Sequence, residues 1–65
     1  MQLSINGERT SLENVTTITE LLNHLNLQGK IAIEVNREIV PRSQFNKYQI
    51  NDGDLIEIVH AIGGG

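Results

Sequence analysis

Apolar and polar residues alternate near both ends of the chain and switch to a helical period in between. Residues 1–6, Met-Gln-Leu-Ser-Ile-Asn, place Met1, Leu3 and Ile5 on one face and so predict a strand. Asn6-Gly7 follows, a pair suited to two-residue turns with positive φ, and a hairpin is expected there. The return segment, Glu8 to Leu12, is polar apart from Leu12. It reads as a short edge-like strand paired with the first.

Thr17-Ile18-Thr19-Glu20 has the spacing of a capping box, with the Thr17 hydroxyl and the Glu20 carboxylate each satisfying a backbone N–H of the other's segment. A helix should begin at this point. Ile18, Leu21, Leu22 and Leu25 fall at i, i+3, i+4 and i+7 and form one apolar stripe, leaving Glu20, Asn23 and Asn26 to water. Gly29 is the expected stop. Ile31 to Asn36 alternates again with Ile31, Ile33 and Val35 inward, and its β-branched content predicts a central strand. Asn36-Arg37-Glu38 turns into Ile39-Val40, and Pro41, lacking a donor, leaves at best a short edge strand after it. Phe45 and Tyr48 suit one helical turn over Gln44–Tyr48. Asp52-Gly53-Asp54 is a turn offering a left-handed position to Gly53, and Leu55 to Ile62 is the longest β-like run.

The predicted order is ββαββ, an α+β arrangement in which two hairpins form a mixed sheet packed on one helix. A β-grasp, or ubiquitin-like, roll fits that order, with a parallel pairing of first and last strands taken from the analogy to that fold. One domain is expected over residues 1–60, followed over 61–65 by a flexible C-terminal tail ending in diglycine.

Composition narrows the function classes. At 65 residues there is room for one small core, and its 38% hydrophobic content contains no run long enough to span a membrane. The absence of cysteine excludes disulfides, thiolate metal sites and a cysteine nucleophile. A net charge of -3 disfavours nucleic acid as a partner. Met1 is followed by alternating residues in place of a charged and then apolar leader, so a cytoplasmic protein is expected.

Candidate chemistry is sparse. A two-layer fold this small fills its interior with its own side chains, which argues against catalysis. His24 and His60 are far apart in sequence and make a weak metal signal. Gly29-Lys30 lacks the earlier glycine and the following Ser or Thr of a phosphate loop, and Asn14-Val15-Thr16 is read as a chance glycosylation pattern. Arg37, Arg42 and Lys47 cluster, most simply as a solvated edge that discourages pairing with other chains. The last strand is different. If Ile56, Ile58, His60 and Ile62 face inward, Leu55, Glu57, Val59 and Ala61 face out, and an outer face that apolar suggests a covering partner.

The chain then reads Ala61-Ile62-Gly63-Gly64-Gly65. Glycine has no Cβ, so Gly64-Gly65 can thread a channel too narrow for side chains. Five extended residues beyond His60 reach about 18 Å at roughly 3.3–3.6 Å each. A terminal carboxylate is ionised at neutral pH and is a poor electrophile until coupled to a leaving group such as AMP. With no cysteine in the chain, any carried sulfur has to be acquired covalently at such a position.

The segment Val35-Asn36-Arg37-Glu38-Ile39-Val40-Pro41-Arg42, the Asp52-Gly53-Asp54 turn and the final Gly64-Gly65 together resemble the ThiS family. These are sulfur carriers of thiamine thiazole biosynthesis, within the ubiquitin-like ThiS/MoaD group, and the resemblance covers essentially the whole chain. The Asp-Gly-Asp turn and the diglycine are shared with other ubiquitin-like proteins; the Asn-x-x-Ile-Val-Pro-Arg segment and the short length point to the thiamine branch. Gly63 stands where that family more often has alanine or another small residue.

The resemblance implies that Gly65 is adenylated by an ATP-dependent, ThiF-like activating enzyme and converted to a thiocarboxylate with sulfur relayed from a cysteine desulfurase. The carrier would then dock on a ThiG-like thiazole synthase. It would be a cosubstrate and no catalyst, binding no cofactor itself, with ATP and the sulfur donor used by its partners. Ile62, Gly63 and Gly64 would thread the partner's channel, and Leu55, Glu57 and Val59 would form the docking strand. Three alternatives are a MoaD-like molybdopterin carrier, usually longer and without the Asn-x-x-Ile-Val-Pro-Arg segment, a ubiquitin-like modifier joined to lysine through Gly65, and a plain β-grasp binding domain with an inert tail.

Overall fold

Strand β1, Gln2–Ile5, pairs antiparallel with β2, Glu8–Ser11, across the Asn6-Gly7 turn, where both residues have positive φ (50° and 84°). That is the mirror-image turn whose twist matches a hairpin. This computed structural model describes residues 1–60. Helix α1, Ile18–His24, starts on the expected capping box. The Glu20 backbone N–H donates to Thr17 Oγ1 at 3.2 Å, while Glu20 Oε1 accepts from the N–H groups of Thr16 (2.6 Å) and Thr17 (3.1 Å). Those two backbone donors hold the Glu20 carboxyl below its ordinary value of 4.5.

A carboxylate with a depressed folded pKa stabilises the fold fully above the unfolded value and loses that contribution as pH falls through the folded one. The melting temperature of Glu20→Gln should therefore lie below that of the parent at pH 7, and the gap should close below pH about 4.5. A gap unchanged down to pH 2 would mean that the carboxylate's charge is not what the cap uses.

The helix ends earlier than Gly29. Asn26 takes the left-handed conformation (φ 58°), its N–H bonds to Asn23 O (3.1 Å), and the Leu27 N–H reaches back to Leu22 O (2.9 Å). This closes the last turn in a Schellman arrangement, with asparagine in the role expected of glycine. Leu27 then packs against the core beside Leu25.

Strand β3, Ile31–Val35, and the three-residue β4, Glu38–Val40, form the second hairpin over Asn36-Arg37, both at positive φ (52° and 70°). Because β4 pairs as a strand, the sheet has five strands where the alternation pattern counted four. Their order is β2-β1-β5-β3-β4, with β5 at Leu55–His60. The central place belongs to β5; β3 lies between β5 and the edge strand β4. β5 runs parallel to β1, as the β-grasp analogy requires, and antiparallel to β3. After Pro41 the chain forms a 3₁₀ turn, Arg42–Gln44, in place of an edge strand, and Tyr48 N–H closes a further turn on Gln44 O (2.8 Å). Pro41 (φ -62°) cannot donate to a ladder, so the chain leaves the sheet at once.

This connection crosses the start of α1. Phe45 O accepts from the Thr19 N–H (3.0 Å), one of the helix's otherwise unpaired donors, and Phe45 and Ile50 belong to the same buried core as Ile18 and Leu21. The core between helix and sheet is completed by Leu3, Ile33, Val35 and Ile56, all essentially inaccessible. Among the described residues, no helix is long and apolar enough to cross a membrane.

Candidate functional site

Strand β5 is held in place at its start by a set of polar contacts built from the Asn36 and Asp52-Gly53-Asp54 turns. Asp54, 8% exposed, accepts from Asn36 Nδ2 (3.0 Å) through one oxygen and from the Asn51 N–H (2.8 Å) through the other. Asn36 Oδ1 in turn accepts from the Leu55 N–H (3.0 Å), and the Asn36 N–H donates to Leu55 O (2.7 Å). Asp52 Oδ1 accepts from the Gln2 N–H (2.6 Å), while the N–H of Gly53, at φ 87°, donates to Gln2 O (2.7 Å). The turn thus ties β1, the β3–β4 turn and β5 together, so the positions that carried the family resemblance fix where the last strand begins.

A second clamp lies further along. Asn6 Oδ1 accepts from the Ile58 N–H (2.7 Å) and Asn6 Nδ2 donates to Ile58 O (3.2 Å), so a side chain continues the ladder of β5 beyond the end of β1. At the far end His60 Nε2 meets Gln28 O at 2.9 Å, and Arg42 donates to the neighbouring Gly29 O at 3.1 Å. The loop after α1 therefore meets the last residue of β5.

Sequence expectations for the facing of β5 agree with this geometry. Ile56 is completely buried, Ile58 is half-buried against the core, and Leu55, Glu57 and Val59 lie on the opposite, open face of the sheet. Val59 is 58% exposed; Leu55 is half-buried. The register adds what the alternation alone misses. On the open face Ala32 stands beside Val59, Glu34 beside Glu57, and Ile39, 75% exposed, beside Glu34. Ala32, Glu34 and Ile39 join the open face of β5 only once β3 is known to pair with both β5 and β4.

Among the described residues no group of three or more His, Cys, Asp or Glu side chains is placed to hold a metal. Arg37 lies in the turn leading into the edge strand β4 and is exposed, as are Arg42 and Lys47, which suits a solvated edge. The expectations for Ala61, Ile62, Gly63, Gly64 and Gly65 lie outside the described residues.

A family model described as the ThiS family matches residues 3–65. The chain belongs to the ThiS family. Its similarity to the sulfur carrier protein ThiS of Bacillus subtilis is 40% identity over 65 residues, spanning 97% of this chain and 98% of that one. The crystal structure of a thiamine biosynthesis protein, ThiS, from Geobacter metallireducens superposes with a TM-score of 0.85 at 30% identity, each chain covered in full. That match places this ThiS-family chain among β-grasp folds. A thiazole synthase of Paramagnetospirillum magneticum is 46% identical over 66 positions, which cover all of this chain but 20% of that protein. The chain therefore spans about a fifth of the length of this relative.

Proposed function

We propose that this ThiS-family chain is the protein sulfur carrier of thiamine thiazole synthesis, acted on by enzymes and not itself a catalyst, with Gly65 as the residue that carries sulfur. The observation that supports it most is the reach of the family match, which runs through Gly65 and so includes the diglycine. Similarity to a segment of a thiazole synthase supports the thiamine branch over the molybdopterin one.

The chemistry follows from the carboxylate. In a ThiF-like activating enzyme, a Gly65 carboxylate oxygen attacks the α-phosphorus of ATP and pyrophosphate leaves. The acyl carbon now carries AMP as a leaving group. Sulfur relayed from a cysteine desulfurase as a protein persulfide attacks that carbon through its terminal sulfur and AMP departs. A thiol then attacks the inner sulfur of the resulting acyl disulfide, forming a disulfide and releasing the Gly65 thiocarboxylate. A ThiG-like thiazole synthase would then take the sulfur. Ile62, Gly63 and Gly64 would be the stretch that threads each partner, and Leu55, Glu57 and Val59 the strand that docks. ATP and the sulfur donor belong to the partners' sites.

Complementation tests the pathway. Expressed in a bacterium lacking its own thiamine sulfur carrier, the chain should restore growth without added thiamine or thiazole. Restoration only of a strain lacking the molybdopterin carrier would transfer the reading to that pathway, and lysine-linked conjugates in place of either would support a protein modifier.

A further inference from the structure

Glu34 and Glu57 are direct cross-strand partners on the open face of the sheet, in the register that joins β3 to β5. Side chains so paired have Cβ atoms roughly 4.5–5.5 Å apart, and like charges at that spacing destabilise the pair. Glu34's other partner on that face is Ile39. Beyond Glu57 lies the end of β1, where Asn6 spends its side chain on the backbone of Ile58. No cation stands at any of these register positions. Towards one end the neighbouring row pairs Val59 with Ala32; towards the other, Leu55 shares its row with Ser4 and the exposed Arg9, which stands one row along and two strands across from Glu57. Two adjacent carboxylates bordered by Val59, Ala32 and Ile39, in a chain of net charge -3, are an unfavourable arrangement for the free protein.

We infer that the Glu34–Glu57 pair is a recognition element for a basic side chain on a partner protein, an arginine or lysine flanked by apolar residues, which enters between the two carboxylates when the sheet face is covered. The occupant is specified by charge complementarity. One cation relieves the repulsion and, once water is excluded by Val59, Ala32 and Ile39, makes charge-assisted hydrogen bonds to both groups; the planar guanidinium of arginine suits two acceptors best. The pair would also guide encounter, since opposed charges raise association rates and exclude partners lacking the matching cation. This assignment rests on the carrier reading, because the partner meant is the enzyme that activates the chain.

The test uses Glu34→Gln, Glu57→Gln and the double variant, with the cognate activating enzyme in nucleotide-free buffer at two salt concentrations. The double variant should bind at least tenfold more weakly than the parent at low salt, and its affinity should vary less with salt, because the attraction that salt screens has been removed. Its melting temperature should equal or exceed that of the parent. Parent-like affinity and parent-like salt dependence in the double variant would overturn the assignment, as would a lowered melting temperature, which would show that the carboxylates are already satisfied in the free protein. If a chelator abolished binding of the parent, the pair would hold a metal ion and the assignment would likewise fall. Val59→Asp separates this from the docking reading: if it disrupts binding while the glutamine variants do not, the face docks without using the carboxylates. If neither change disrupts binding, the face is not the docking surface.

Discussion

Removing Gly65 is expected to leave the melting temperature unchanged and to reduce ATP–pyrophosphate exchange by the activating enzyme at least a hundredfold. The shortened chain still carries a carboxylate, now on Gly64, so the loss would not come from missing chemistry. It would come from reach, since the reacting oxygen lies one residue, about 3.5 Å, short of its place. Attack at phosphorus demands near-contact geometry, and a misplacement of even about 1 Å can cost about a hundredfold. The fold should be indifferent, because the buried core of the described residues is built from positions between Leu3 and Ile56. Gly64→Val should be nearly as harmful, as a β-branched side chain both narrows the backbone's options and blocks a tight channel. Exchange at the parent rate in the truncated protein would remove Gly65 from the reaction.

The second large effect divides the two faces of β5. Ile56→Asp places a carboxylate where the native side chain is 0% exposed, among Leu3, Ile33 and Val35. Burying an unpaired charge costs several kcal/mol. A domain of this length has about 3–10 kcal/mol of stability in all, at roughly 0.05–0.15 kcal/mol per residue. The variant should be unfolded at room temperature by circular dichroism. Val59→Asp puts the same group on the open face and should change stability by no more than about 1 kcal/mol. Its effect should appear in affinity for the activating enzyme, weakened about a hundredfold or more by desolvation of the carboxylate under the partner. Ile58, half-buried, is the milder core site, so Ile56 gives the sharper contrast. A melted Val59→Asp beside a folded Ile56→Asp would invert the facing described for β5.

Much of this fold was legible because short-range chemistry decides it. The Asn6-Gly7 turn, the Thr17–Glu20 capping box and the alternation of Ile31, Ile33 and Val35 each act within a few residues, and each appears where the pattern places it. The parallel union of β1 with β5 joins segments about 50 residues apart and was accessible only through analogy with a known fold. Local errors have local causes. Asn26 ends α1 before Gly29 because asparagine tolerates the left-handed conformation and Leu27 gains a place in the core by following it. Pro41 sends the chain into a 3₁₀ turn, which the loss of one donor does not by itself distinguish from a poor edge strand.

The candidate site divides in the same way. The facing of Leu55, Glu57 and Val59 follows from period-two alternation in one strand, whereas Ala32, Glu34 and Ile39 join them through register, a long-range property. Asn6, Asn36 and Asp54 likewise read as ordinary turn residues; the side-chain bonds of Asn6 to Ile58 and of Asn36 to Leu55 and Asp54 exist only after distant segments meet, whereas Asp54 bonds the Asn51 N–H within its own turn. A signal was nonetheless present in each, since turn asparagines and aspartates favour side-chain bonds to nearby backbone.

The central claim, that this chain carries sulfur on Gly65, is most directly tested by mass spectrometry of the protein purified from cells with an active sulfur relay. A fraction should be heavier by the difference between one sulfur and one oxygen atom. Fragmentation should confine that difference to the peptide ending in Gly65, and it should disappear in cells lacking the activating enzyme. A sulfur-for-oxygen difference on any other residue, or a Gly65 found only in isopeptide linkage to lysine, would contradict the claim.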